Sequence, residues 1–400
     1  MSHSFPARAE AMAGELTALR RSLHQEPELS YQERDTQQFL RRRLESAGFT
    51  CQTVAGTGLL AMPPAPAGGR TGPVVALRAE LDALPIQEAN EVPYRSRREG
   101  VMHACGHDAH MTMVYGAGQL LSSMVGGLPG SFVLLFQPAE EVPPGGARRV
   151  LDEGVLAEAG VSAIFGLHVD PRYPAGQILL KKGPLMAASD RFRITVVGKG
   201  GHGGYPHLAV DAVVIAAQIV LGLQSIVARR LDPMEPGVVS IGRIEGGTAD
   251  NILPERVLFS GTLRSHSSTV RRQLPEWIRE IAEGIAGGAG ARVEFEYLPG
   301  HPGLANDPAI IDFLAGALAA EFDPTRIVEL DRPIMGGEDF AHYLEVLPGA
   351  FLRLGVRNEA EGIVHPIHSP RFNLDESALP VGAALLATAA SAWLSRGSAD

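Results

Sequence analysis

Continuous apolar runs and alternating ones fall in different parts of the chain. Residues 74–78 (Val-Val-Ala-Leu-Arg), 131–136 (Ser-Phe-Val-Leu-Leu-Phe) and 164–168 (Ile-Phe-Gly-Leu-His) are short and mostly apolar, the pattern of strands buried on both faces. Each runs into polar groups: Glu80 and Asp82, then Glu140 and Glu141, then His168. In open α/β sheets this strand end is where ligands collect. Residues 111–121 form a helix-prone apolar stretch, and the first fifty residues read as helical. There Ser30-x-x-Glu33 reads as a capping box, opening a helix that turns Phe39, Leu40 and Leu44 inward and stops before Gly48. Residues 61–73, rich in Pro and Gly, read as a surface loop.

After Lys181-Lys182-Gly183 the pattern changes. Residues 191–197 alternate polar and apolar with period two, so one face should be solvated. A helix over 209–229, strands at 238–244 and 257–263, a helix over 269–286 and a strand at 292–297 complete a β-α-β-β-α-β order. That order predicts a small ferredoxin-like domain. Residues 350–356 then resume the buried-strand pattern. The expected architecture is α/β: a central mixed sheet flanked by helices over 1–184 and 299–400, with the small α+β domain inserted at 185–298. Function is expected where the two domains face each other.

Four hundred residues suit two domains, and 45% apolar with 20% charged residues is a globular composition. A net charge of -10, with no basic run beyond Arg41-Arg42-Arg43, argues against nucleic acid as a partner. No stretch reaches the roughly 18 apolar residues of a membrane span. The longest candidate, 213–223, contains Gln218 and reads as a buried helix, so no membrane partner is expected. Without an apolar leader, Cys51 and Cys105 read as reduced thiols of a cytoplasmic protein.

The densest chemistry lies at 103–110, His-Ala-Cys-Gly-His-Asp-Ala-His, in a chain with only two cysteines and thirteen histidines. Burying such groups unpaired costs about 1–3 kcal/mol each, and a metal is the simplest compensation. Gly106 allows a tight turn so that Cys105 and His107 face one ion. Of the adjacent Glu140 and Glu141, one carboxylate can ligate while the other takes a proton from a bound water. Together Cys105, His107, Glu141, His168 and His368 offer five N, S and O ligands of the kind that suit Zn, Mn or Co. Five are too many for one catalytic zinc with an open position, and two ions about 3.5–4 Å apart fit better.

The ordered motifs carry a resemblance. They include His24 to Ser30, Asp82-Ala83-Leu84-Pro85, His103 to His110, Gln137 to Glu141, Gly198 to His202, Gly246 to Asn251, Gly261-Thr262-Leu263-Arg264, Gly337 to Phe340 and His368-Ser369-Pro370. Over nearly its whole length the chain resembles the amidohydrolase branch of the metallopeptidases that includes aminoacylase, carboxypeptidase G, hippurate hydrolase and the plant hydrolases of indole-acetyl amino-acid conjugates. The resemblance implies a zinc-exopeptidase-like catalytic domain with an inserted lid and dimerisation domain, acting as a homodimer or higher oligomer. It implies two divalent ions (Zn, Mn, Co or Ni) on Cys105, His107, Glu141, His168 and His368, with Glu140 as general base and Asp82 steadying the metal site.

By the same resemblance His202 donates to the developing oxyanion from the partner subunit, and Asn251 and Arg264 hold the substrate carboxylate. The implied reaction is hydrolysis of the amide bond of a small N-acyl amino acid. The alternative is carboxypeptidase or dipeptidase action on short peptides. One departure is visible: the branch usually has Asp-x-Asp-Ala-Leu-Pro where this chain has Glu80-Leu81-Asp82, and Glu80 stays outside the ligand set.

Overall fold

The structure is a computed structural model describing residues 4–64, 72–124 and 127–396. Two compact units divide the chain. The first takes Met1–Gly183, Ala305–Arg332 and His342–Asp400; the second takes Pro184–Leu304 and Pro333–Ala341. Backbone bonds explain the last segment. Ile334 N–H donates to Leu185 O at 2.9 Å and Ala187 N–H to Gly336 O at 2.9 Å.

The first unit is built on an eight-stranded mixed sheet. Its order is Thr50–Val54, Gly58–Met62, Ser131–Gln137, Val74–Glu80, Val161–Pro174, Gly349–Arg357, Ile178–Leu180, Ile327–Glu329. Val74–Glu80 runs parallel to both of its neighbours, with Glu80 opposite Gln137 and Arg78 opposite Gly166, so three carboxyl ends lie together. All seven residues of Val74–Glu80 and of Ser131–Gln137 are buried, which is why their sequences do not alternate. Ala61 and Met62, expected in a loop, belong to the Gly58–Met62 strand, and residues 65–71 of that loop lie outside the described residues.

The helix His107–Ser122 packs against Ala13–Gln25 and Ala378–Ser395. Gly382 permits the second contact, since a Cβ there would sit 2.2 Å from Met113 Sδ. A buried polar network ties the first contact. Arg20 Nε reaches Asp108 Oδ2 at 2.8 Å, His24 Nδ1 reaches the same oxygen at 2.7 Å, and His24 Nε2 meets Glu88 Oε1 at 3.2 Å. Burial pushes the Asp108 carboxyl up, but the charges of Arg20 and His24 hold it well below the ordinary carboxylate range.

The capping box expected at Ser30 and Glu33 does not form. Glu33 precedes the helix Arg34–Ser46 without a side-chain cap bond. Its carboxylate takes the Thr57 hydroxyl at 2.5 Å and Ala139 N–H at 2.8 Å, while Ser30 donates to Asp82 Oδ2 at 2.6 Å. Tertiary partners outcompete the local cap.

The second unit has the β-α-β-β-α-β order, with an antiparallel sheet of Gly237–Gly246, Arg256–Ser265, Ala188–Val197 and Arg292–His301. Phe192, Ile194 and Val196 face the helices Ala212–Ser225 and Ser268–Gly288 through Ile215, Ile219 and Ile278. Asp211 caps the first helix, accepting from Val213 N–H at 2.9 Å and Val214 N–H at 3.2 Å. That helix is not buried as its composition suggested. One face lies on the sheet, and Val213, Val214 and Leu221 are 45%, 52% and 73% exposed.

Ala212–Arg230 and Ala378–Ser395 are, contrary to expectation, long and apolar enough to cross a membrane, but the latter is mostly buried inside the first unit.

Replacing Arg20 with Met leaves Asp108 buried without its strongest cation. Urea unfolding of this variant is expected to show a loss of about 3–5 kcal/mol.

Candidate metal centre

At the carboxyl ends of the three parallel strands the chain makes unusual turns. Gly106 is left-handed at φ 93° and ends the approach to the helix His107–Ser122; a Cβ on it would sit 2.5 Å from Val169 Cγ2. Cys105 and His107 therefore flank a position that only glycine fills. Among the described residues four that are not glycine are left-handed, and two of them flank this site, Ala139 at φ 52° and His368 at φ 64°. Such conformations cost roughly 1–3 kcal/mol each and cluster at functional sites. Ala139 immediately precedes Glu140, and His368 N–H is held by Ala104 O at 2.8 Å.

The side chains converge. Ligand atoms of Cys105, His107 and His168 lie within 4.8 Å of one another, as do those of His107, Glu140 and Glu141, and those of Cys105, Glu141 and His368. The three sets share members, so all six residues form one linked cluster. Cys105 Sγ is 3.3 Å from His168 Nε2, and His368 Nε2 is 3.4 Å from Glu141 Oε1. His107 Nδ1 donates to Asp82 O at 2.7 Å, and His168 Nδ1 donates to Val169 O at 2.7 Å. These bonds leave each Nε2 for another partner, and His107 Nε2 and Glu141 Oε1 are buried with no hydrogen bond among the described residues. Asp82 fixes the opposite wall. Its carboxylate accepts from Glu140 N–H at 3.1 Å and Glu141 N–H at 3.0 Å as well as from Ser30.

The electrostatics fit a cation. Burial pushes the Cys105 thiol well up, and the charges of Glu141, Glu140 and Glu80 push it further. Burial alone would lower His107, but the Asp82 hydrogen bond and the charges of Glu80, Asp82 and Glu141 carry it up to about 10. A buried cluster of thiol, imidazole and carboxylate groups is the donor set of a zinc-type ion.

The peptidase family M20/M25/M40 matches residues 76–392. The chain belongs to that family. It is a metal-dependent amidohydrolase of the M20 fold, in the amidohydrolase branch. N-acetylcysteine deacetylase of Bacillus subtilis is 43% identical over 368 residues, covering 92% of this chain and 93% of that protein. Thermostable carboxypeptidase 2 of Saccharolobus solfataricus is 40% identical, covering 91% and 92%. A dinuclear metal binding peptidase from the M20 family, of Bacillus subtilis, superposes with a TM-score of 0.82 at 39% identity, covering 96% of this chain and 99% of that one.

In this M20 enzyme Glu80 has a place that its sequence did not disclose. It pairs with Arg78 and accepts from His110 Nδ1 at 2.7 Å, while His110 Nε2 accepts from Val169 N–H at 3.0 Å. Both His110 nitrogens are thus occupied, and the ring braces the backbone beside His168. His103 is buried with neither ring nitrogen hydrogen-bonded among the described residues, and burial pushes it down to about 3. The contacts of Ser30 with Asp82 and of Arg78 with Glu80 were not foreseen from the sequence. Ser30 lay within a motif, but nothing local marked it as the donor to Asp82.

His202, Asn251 and Arg264 lie in the second unit. His202 sits in the two-residue strand Gly201–His202 opposite Ile252–Leu253, and Gly203 N–H donates to Asn251 O at 2.8 Å. Both side chains are exposed. Gly204 N–H donates to His202 Nδ1 at 3.0 Å, which places the ring proton on Nε2. Arg264 is part-buried and, among the described residues, has no carboxylate at ion-pair distance.

Asp82→Ala removes the acceptor that orders both glutamate backbones. Calorimetric titration with Zn or Mn is expected to show affinity about 10–100-fold weaker than in the parent.

Proposed function

We propose that the chain hydrolyses the amide bond of small N-acyl amino acids, N-acetyl or N-benzoyl conjugates among them, with two divalent ions held by Cys105, His107, Glu141, His168 and His368. The convergence of these five side chains with Glu140 into one linked cluster carries the reading. Bound there, the ions (Zn, Mn, Co or Ni) supply Lewis acidity toward the amide carbonyl and lower the pKa of the attacking water. Glu140, whose backbone is held by Asp82, takes the water proton on its carboxylate and delivers it to the leaving nitrogen. His202, with its proton on Nε2, donates to the developing oxyanion. Asn251 and Arg264 hold the substrate carboxylate. The N-acetylcysteine deacetylase among the relatives supports this substrate class.

The carboxypeptidase at 40% identity favours a second reading, cleavage of short peptides by the same groups. Turnover of N-acetyl and N-benzoyl amino acids against dipeptides, with each metal supplied separately, distinguishes the two. Glu140→Gln is expected to keep its metal, by elemental analysis, and to lose about 10²–10⁴-fold or more in kcat. Substantial turnover by that variant would remove Glu140 as the base.

The inserted unit also supports a homodimer or higher oligomer, in which His202 serves the partner's site. The exposed Val213, Val214 and Leu221 and the edge of the strand Gly237–Gly246, unpaired among the described residues, offer surface for such an interface. Sedimentation equilibrium is expected to show a dimer or larger that Leu221→Glu shifts toward monomer; a monomeric parent protein refutes the assembly.

A further inference from the structure

We propose that Thr262 is a positioning residue for the anionic end of the substrate, its hydroxyl holding the Arg264 guanidinium in the orientation that grips a carboxylate. The inference rests on the reading of Arg264 as the carboxylate-binding group.

Thr262 and Arg264 stand two apart on the strand Arg256–Ser265, and so on one face, while Phe259 and Leu263 point into the core. The Thr262 hydroxyl donates to Asp190 O at 3.1 Å. Its proton is thereby fixed, and its oxygen accepts from Arg264 Nη1. The same Nη1 donates to Leu263 O at 2.9 Å. One end of the guanidinium is anchored twice, and Nε and Nη2 make no hydrogen bond among the described residues. Those two nitrogens form the side-on fork that matches the two oxygens of a carboxylate.

The neighbouring acid cannot fill that fork. Asp190 is held by Arg271, Nε to Oδ2 at 2.9 Å and Nη2 to Oδ1 at 2.8 Å, and also accepts from Gly300 N–H at 2.8 Å. Arg264 therefore has no carboxylate bonded to it among the described residues, and burial pushes its pKa down despite the charge of Asp190. Asp190 has a double part: its carboxylate is occupied by Arg271, and its carbonyl sets the rotamer of the hydroxyl that aims Arg264.

The test is steady-state kinetics on an N-acyl amino acid and on the matching N-acyl amine, which lacks the carboxylate. Thr262→Val keeps the branched shape and strand preference but removes the oxygen. It is expected to raise KM for the N-acyl amino acid roughly 10-fold, as the loss of a hydrogen bond to a charged group implies, with kcat within about 2-fold. Thr262→Ser should restore KM, and the N-acyl amine should not distinguish the variants. Thr262→Ala repeats the test without a methyl in the place of the hydroxyl. Unchanged KM in both oxygen-free variants, while Arg264→Met raises KM, overturns the role of Thr262 and keeps that of Arg264. Unchanged KM in Arg264→Met overturns the reading of Arg264 and this inference with it.

Discussion

The carboxylate of Asp82 is the acceptor on which the candidate metal centre depends. It gathers the backbone N–H groups of Glu140 and Glu141 and the hydroxyl of Ser30, while its own carbonyl takes the proton of His107 Nδ1. One residue therefore sets the direction of two carboxylates and one imidazole. It can do so because the parallel strands Val74–Glu80 and Ser131–Gln137 end level with each other, Glu80 against Gln137. A sheet whose strands ended at different heights would deliver the same side chains to different places.

Much of this was legible because backbone burial leaves a clear trace. Strands covered on both faces showed as unbroken apolar runs, and the half-covered strand Ala188–Val197 showed as alternation. The two patterns separated the two sheets, and the polar residues after each run marked the side on which chemistry would collect. Cys105, His107, Glu140, Glu141, His168 and His368 were singled out from the sequence, and the fold brings them together.

What stayed hidden was pairing at long range. Ser30 and Glu33 carried a sound local signal for a helix cap, yet partners 52 and 106 residues away took their side chains. Glu80 looked like an imperfect ligand because its bond to His110, 30 residues on, cannot be read from a strand end. The helix Ala212–Ser225 misled for a different reason: its residues are apolar all round, so the pattern has no phase to tell which side meets the sheet and which stays exposed.

Ala139 and His368 hold backbone conformations that neither residue prefers, one just before Glu140 and the other within the cluster itself. Between them they keep two loops bent like the arms of a sprung clasp, with the tension carried by the polypeptide before any ion arrives. A metal held by a set of residues that includes Glu141 and His368 would latch the clasp rather than bend it, so the energy of metallation would go into securing a shape already formed. Without the latch, loss of metal should be felt first as local loosening around these two loops rather than as collapse of the sheet beneath them.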